Sequence, residues 1–406
     1  MGIFARNNIT KSIRTAITRR PTPGISSRIS TKGFLSFQFH NASSVHPSSS
    51  RIARTRERRS GFLTDISEVV VKIVQFQENR NSRLGVIDGE TLVDLTAGGD
   101  RPESIHDLYY RCGGADNGFP ATLDKALENG TSSDLGDLLS GSEDDRRLLP
   151  SVTAPAGRKH LLRIWLAGVT HEDSAKLREV EAKQHTGQAI NVYDQKYREC
   201  AEGGIPELFA KTDPDSCVAH AQPVSRPDTT LRLVPETELV SVYGLRTNGQ
   251  VERLGFTGGN DYTDNGIEAA NPLNLPQAKN WTGGCASLGP LLVTDDAFDH
   301  ANVEVSCDVI RNGEKVAGKS GHTGSANLNM PDGLFHLERS LFQRVPLEPG
   351  VLQVFYWGTP IVFSDADLAD GLLDGDLVRM TFSGIGALEN PVRDWSPPSQ
   401  LENLQG

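Results

Sequence analysis

Between residues 161 and 392 the chain is a succession of short apolar, β-branched runs, each stopped within a few residues by Gly, Pro, Asn or Asp. Residues 303–310, then Asn312-Gly313, then residues 316–319 show the unit. Runs this short fall below the roughly 10 residues that an amphipathic helix needs. Asn-Gly joins two strands through a tight turn because both residues accept positive φ. Helical periodicity is confined to residues 171–183, 332–341 and a short stretch at 368–372. The pattern predicts a mainly antiparallel sheet with few helices, not a doubly wound parallel one.

Residues 62–155 read differently. Strand-like text starts at Glu68 and alternates around Asp88-Gly89, a hairpin signal. Helical spacing follows at residues 104–111 and 123–127, and a polar Gly/Ser/Asp-rich stretch at 130–147 reads as a surface loop or linker. The expected organisation is a small N-terminal α+β domain at 62–155, a main domain at 160–392 and a flexible tail at 393–406. The class is α+β, mainly β. No internal repeat is present.

Charge is distributed unevenly. Residues 1–60 carry twelve Lys and Arg against Glu57 alone, and the remaining 346 residues carry 29 basic and 51 acidic side chains. In the first segment Ile3, Phe4, Ile9, Ile13 and Ile17 recur near helical spacing between Arg6, Lys11, Arg14, Arg19 and Arg20. Arg-rich, Ser-rich and acid-poor text of this kind predicts a disordered mitochondrial transit peptide and a mitochondrial matrix protein. A basic tail on a cytoplasmic protein is the other reading. The acidic body repels phosphate backbones, so no nucleic-acid partner is expected. No apolar run approaches the roughly 20 residues of a membrane span, so no membrane partner is expected either. Cys112, Cys200, Cys217, Cys285 and Cys307 form no C-x-x-C pair, which argues against a disulfide scaffold or zinc ribbon. Nucleophile-elbow, zincin and dinucleotide motifs are also missing from the text.

One stretch concentrates chemistry. Glu236 and Glu238 stand two apart in strand-like text, so their carboxylates project to one side. Asn248-Gly249 turns the chain back and brings Asp261 toward them. Three carboxylates so close repel unless a hard divalent cation neutralises them, and such a cation takes oxygen ligands. A solvated strand face also reads Glu-x-Glu, so this pattern leaves both readings open. Lys279 lies among apolar and small residues, where it would hold a substrate carboxylate or act as a base, or else is a surface lysine. Thr359 sits in a Gly/Pro turn after Gly358, suited to an anion or simply to turning.

Taken in order, the text becomes specific. Glu236-x-Glu238, Gly-Phe-Thr-x-x-Asn260-Asp261, Lys279 followed by Leu288-Gly-Pro290, Gly358-Thr359-Pro360, Leu373-x-Gly375-Asp376-x-Val378 and Gly384-Ile-Gly386-x-Leu388-x-Asn390-x-Val392 together resemble the fumarylacetoacetate hydrolase family over about residues 160–392. The resemblance implies a mixed β-sandwich roll as catalytic domain, a Mg²⁺ or Mn²⁺ site, a small-molecule 2-oxo acid or β-diketone substrate, and a homo-oligomer. It implies Glu236, Glu238 and Asp261 as metal ligands and Lys279 as the site lysine. Pro206-Glu207-Leu-Phe-Ala-Lys211, Cys217-Val-Ala-His220 and Ala269-Ala-Asn-Pro-Leu-Asn-Leu-Pro-Gln-Ala-Lys279 look like the branch that dehydrates 2-keto-3-deoxy arabinonate or xylonate. Members that hydrolyse acylpyruvates carry His-x-x-Glu where this chain has Ser174 and Leu177, which counts against C–C hydrolysis. Thr263-Asp264-Asn265-Gly266 departs from the family's usual Ser-Ala-Arg-Asp, removing an arginine that could clamp a carboxylate.

The expected function is therefore a metal-dependent hydro-lyase. Substrate chelated through its carboxylate and 2-oxo oxygens has acidified C3 protons; a base takes one to give a metal-bound enolate, and an acid helps the C4 hydroxyl leave. Lys279 and Glu207 are the candidates for those two roles. His171 and Glu172 lie on a segment placed to close over the site, unless they form a solvated pair. Lys211, Gly358 and Thr359 are the expected substrate contacts. A C–C hydrolase of acylpyruvates is the alternative activity, and a binding protein without turnover the alternative class.

Overall fold

A long hairpin carries the site. Strand β11 (Thr237–Leu245) and strand β12 (Val251–Asp261) pair antiparallel through the turn at Asn248-Gly249, where Gly249 has φ +84°. The computed structural model describes residues 71–97, 101–139, 146–172, 176 and 192–396. Every residue of β11 but the last is buried, so both faces of the strand are covered. Leu239 and Tyr243 pack into one core cluster, while Val240 and Val242 pack into another on the opposite face. A strand covered on both sides cannot present Glu238 to solvent, which removes the solvated-face reading of Glu-x-Glu.

The remaining elements build layers on that hairpin. Strands β1 (Lys72–Glu78), β2 (Asn81–Asp88), β3 (Thr91–Asp94), β4 (Thr131–Asp134) and β5 (Arg146–Leu148) precede β6 (Leu162–Gly168), β7 (Glu207–Thr212) and β8 (Cys217–Val218). Then come β9 (Val224–Pro227), β10 (Leu233–Val234), the hairpin, β13 (Thr263–Asp264), β14 (Ala286–Thr294), β15 (Val303–Arg311), β16 (Glu314–Thr323), β17 (Leu352–Tyr356), β18 (Leu377–Phe382) and β19 (Gly386–Trp395). The large sheet runs β4-β3-β2-β1-β14-β12-β11-β17-β6-β7, with β5 on β1 and β8 on β14. A second sheet runs β16-β15-β18-β19-β9. Between the sheets lie Phe256, Trp357, Phe355, Phe382 and Leu388. Pairing is mostly antiparallel, with β6–β17, β8–β14 and β9–β19 parallel, so the class is α+β, mainly β, as expected.

Four sequence expectations change. Residues 62–155 do not carry a sheet of their own: β1 pairs with β14 (Lys72↔Val293, Ile73↔Leu292), and the described residues belong to one compact unit. Part of the expected linker at 130–147 is ladder, since β4 pairs with β3 and β5 with β1. Every residue of β4 is exposed, so no apolar alternation marked it. Residues 368–372 form turns rather than a helix, with Gly371 at φ +66° and the Leu372 N–H donated to Leu233 O. The expected tail starts as strand, because β19 runs to Trp395 and pairs with β9. The basic segment 1–60, most of the helix expected at 171–183, and residues 397–406 lie outside the described residues.

Candidate metal centre

The backbone fixes three carboxylates before any side chain is considered. Glu238 on β11 stands opposite Gly259 on β12. Beyond that pair, the Asp261 N–H donates to Glu236 O at 3.0 Å, and the Glu236 N–H donates to Asn260 Oδ1 at 2.8 Å. Antiparallel register thus sets Glu236 and Asp261 side by side across the ladder. One oxygen from each of Glu236, Glu238 and Asp261 lies within 4.8 Å of the others, and all three residues are buried.

Two lysines counter part of this charge. Lys279 ends the helix Leu275–Lys279. Its Nζ donates to Glu236 Oε2 at 2.8 Å, Asp261 Oδ2 at 2.6 Å and Thr263 Oγ1 at 2.7 Å. Lys211 on β7 is fully buried, pairs with Asp261 Oδ1 at 2.5 Å and donates to Tyr262 O and Lys279 O. Among the described residues no lysine is paired with Glu238. Its Oε2 accepts the Gly358 N–H at 2.7 Å, and its buried Oε1 has no partner. Burial, then the neighbouring Asp261 and Glu236, push its carboxyl well above the usual range. A buried oxygen without a donor, beside two further carboxylates, suits a hard cation that supplies the missing charge. The residues therefore fit a divalent metal.

A cavity opens beside the triad, walled by Glu236, Glu238, Lys279, Glu207, Gly358 and Thr359. Glu207 begins β7 against Gly168, where any Cβ would meet its Oε2 at 2.0 Å. Burial first, then the Glu268 charge, raise Glu207 to about 7. Gly358 adopts φ +87°, and a Cβ there would lie 2.1 Å from Thr170 Oγ1. This turn aims its N–H at Glu238, and only glycine takes that conformation without strain.

Several expected site residues stand elsewhere. Glu172 is exposed and pairs with Lys176 at 2.5 Å, a solvated i,i+4 ion pair that does not line the cavity. His171 is buried behind the Gly358 turn, its ring between Thr170 Oγ1 at 2.9 Å and Thr323 Oγ1 at 3.1 Å, and burial lowers it to about 4. It is thus neutral and supports the turn from behind. Lys211 reaches Asp261 Oδ1 and Lys279 O and is not among the residues of the cavity wall. Thr359 lines the cavity, but its hydroxyl donates to Ile361 O at 2.7 Å. Ser174 and Leu177 lie outside the described residues.

The altered segment 263–266 is built into the fold. Thr263 accepts from Lys279 and donates to Asp261 O at 2.9 Å. Asp264 caps the helix Asn265–Ala270 through the Ile267 N–H and also accepts from the Leu231 and Arg232 N–H groups. Asn265 Oδ1 accepts from Arg232. Among the polar residues lining the cavity, sequence reasoning missed Tyr193 and Glu268. Each is an isolated polar residue on a helix, a pattern that reads as solvated face.

Comparison with known proteins adds the family. A family model described as the C-terminal domain of fumarylacetoacetate hydrolase matches residues 179–393. A 2-dehydro-3-deoxy-D-arabinonate dehydratase of Saccharolobus solfataricus is 29% identical over 233 residues, 57% of this chain and 71% of the relative. A probable 2-keto-3-deoxyxylonate dehydratase of Haloferax volcanii is 35% identical over 230 residues, 56% of this chain and 71% of the relative. The solved structure of a 2-keto-3-deoxy-D-arabinonate dehydratase complexed with magnesium and 2,5-dioxopentanoate superposes with a TM-score of 0.59 at 23% identity, covering 80% of this chain and 100% of that one. A fumarylacetoacetate hydrolase from Exiguobacterium antarcticum superposes at 0.53 with 22% identity, covering 80% and 100%. At those identities the structures speak for the fold alone. With the family model matched over more than half its length and sugar-acid dehydratases among its relatives, the chain belongs to the fumarylacetoacetate hydrolase family.

Proposed function

We propose that this chain is a divalent-metal-dependent dehydratase of a 2-keto-3-deoxy sugar acid, with Mg²⁺ or Mn²⁺ held by Glu236, Glu238 and Asp261. The observation that carries the reading is the buried triad with the partnerless Glu238 Oε1 beside a cavity that also holds Glu207 and Lys279. Dehydratase relatives at 29% and 35% identity support the reaction class. When bound, the cation supplies Lewis-acid polarisation of the substrate's 2-oxo group.

The protein's own groups divide the proton work. Lys279 Nζ donates hydrogen bonds to three oxygens, the behaviour of an ammonium, which can give a proton but has no lone pair to take one. Glu207, at about 7, exchanges a proton near neutrality, where a general base works best. Glu207 takes the C3 proton, the C–H electron pair passes toward the carbonyl, and the C4–O bond breaks. Lys279 gives a proton to the departing hydroxyl, so the net loss is one water. Leu166, Phe209 and Leu275 add apolar surface to the wall of this cavity.

The test is turnover by the full-length chain with Mg²⁺, offered pentose- and hexose-derived 2-keto-3-deoxy acids beside an acylpyruvate, with products followed by mass. Loss of one water from a sugar acid is the expected outcome. Pyruvate from the acylpyruvate without any dehydration overturns the reading in favour of C–C hydrolysis.

A further inference from the structure

The peptide unit that holds Glu238 is held in turn. Trp357 and Gly358 share one amide plane, and both of its polar ends are engaged. The Gly358 N–H donates to Glu238 Oε2 at 2.7 Å, and the Trp357 carbonyl accepts the Thr170 hydroxyl at 2.6 Å. Thr170 and His171, just past the end of β6, are both buried and neither lines the cavity. The His171 ring stands between Thr170 Oγ1, 2.9 Å from Nδ1, and Thr323 Oγ1, 3.1 Å from Nε2. Thr323 closes β16 in the second sheet, so the line of contacts runs from that sheet to a metal ligand on the other.

Counting protons along this line leaves one arrangement. A carbonyl only accepts, so the Thr170 hydroxyl gives its single hydrogen to Trp357 O. Thr170 Oγ1 then meets the ring as an acceptor, and Nδ1 carries the ring proton. Burial keeps the ring neutral, so Nε2 is bare and accepts the Thr323 hydroxyl. Every donor points the same way, from Thr323 through His171 and Thr170 to the amide whose N–H meets Glu238. Hydrogen bonds in series polarise one another, and the carbonyl and N–H of one amide are conjugated, so the Thr170 bond strengthens the Gly358 donor. We infer that Thr170 and His171 are positioning residues for Glu238, acting through the Trp357–Gly358 peptide to fix the orientation in which its carboxylate meets a cation. The inference rests on the metal centre of the proposed function and adds the residues that set it from outside the cavity.

Two measurements on the full-length protein test it. In nitrogen NMR of the histidine rings, His171 shows a protonated Nδ1 and a bare Nε2, the reverse of the tautomer that free histidine favours. Loss of that signal in His171→Asn assigns it. Titration with Mg²⁺ by calorimetry then reads the ligand. Thr170→Val keeps the shape, removes the hydroxyl and weakens Mg²⁺ binding about tenfold, while Thr170→Ser restores it to within about threefold. His171→Leu weakens it about fivefold, and His171→Asn, whose amide N–H replaces the Nδ1–H, recovers most of that loss. A role in stability alone lowers the melting temperatures and leaves these affinities unmoved. If Thr170→Val does not fold, the His171 pair and the ring spectrum carry the test. A ring protonated at Nε2, unchanged affinity in Thr170→Val or His171→Leu, or conservative variants that bind no better than the disruptive ones overturns the inference. Unchanged affinities beside sugar-acid turnover sink this inference alone. The expected affinities without turnover of any sugar acid sink the dehydratase reading alone, and an unaltered protein that binds neither Mg²⁺ nor Mn²⁺ overturns both.

Discussion

Lys279 supplies its ammonium to two of the three triad carboxylates, so cation and metal share the work of neutralising one buried acidic centre. Glu238→Gln removes a ligand that no described lysine is paired with, and the expected result is a loss of Mg²⁺ affinity of at least about a hundredfold, with activity lost in parallel. Titration of the variant with Mg²⁺ by calorimetry checks it. Lys279→Met removes one donor from Glu236 and Asp261 and abolishes turnover, and turnover that survives in this variant would remove Lys279 from the proton chemistry. Glu207 sets the pH dependence. As a base it must be ionised, so kcat/KM rises with pH through about 7 and levels off above, and Glu207→Gln loses both the rate and that limb. Its folded pKa lies above the ordinary 4.5, so the folded state retains a proton that the unfolded state releases. Its contribution to stability is therefore present below about 4.5 and falls away as pH rises toward 7. The triad and Lys279 were legible because two-residue spacing on a strand and a fixed order of motifs constrain chemistry. Glu268 was not, since one glutamate in a short helix has no pattern, and only the packing of that helix against β10 and β13 turns it inward.

The hairpin of β11 and β12 places two triad members, but the turn after β17 completes the geometry. Trp357 anchors that turn: its indole N–H donates to Ser241 Oγ at 2.8 Å, and its carbonyl accepts the Thr170 hydroxyl at 2.6 Å. Gly358 then points its N–H at Glu238. Gly358→Ala forces a Cβ to within 2.1 Å of Thr170 Oγ1 in a backbone region with φ +87°. The expected cost is about 1–3 kcal/mol of stability together with about a tenfold loss of metal affinity, because Glu238 loses the donor that orients it. Thermal unfolding and metal titration read the two effects separately, and an unaltered affinity would detach the turn from the metal site. Hairpins joined by Asn-Gly or Asp-Gly were legible because positive φ is written into those residues. The ladders of β4 and β5 were not, because edge strands with exposed polar faces differ little in composition from loops. Residues 368–372 carry helix-like spacing that the Leu372 hydrogen bond to Leu233 overrides.

At the scale of the molecule the N-terminal residues are part of the scaffold on which the catalytic residues stand. Alternating apolar text made the first hairpin legible, but nothing in it said which strand it would join, because sheet partners distant in sequence are chosen by packing. β1 adds to β14, which in turn pairs with β12, so the N-terminal strands lie two ladders from Asp261. Behind them, Ile73, Leu108, Tyr109 and Phe119 share one core cluster with Val240, Val242, Leu288 and Tyr356. Removing residues 1–159 would strip those partners from one face of the β11–β12 hairpin and uncover the β14 edge. Each apolar side chain left exposed forfeits about 1.5–3 kcal/mol, against a total stability of only about 5–15 kcal/mol for a typical domain. A fragment starting at residue 160 is therefore expected to lack cooperative thermal unfolding and Mg²⁺ binding and to aggregate through the bare edge. Removal of residues 1–60 alone takes away none of the contacts described and is expected to leave both unchanged. Scanning calorimetry of the two truncations separates the cases: a cooperative transition in the fragment from residue 160, with metal still bound, would show that the first hairpin decorates the site rather than supports it.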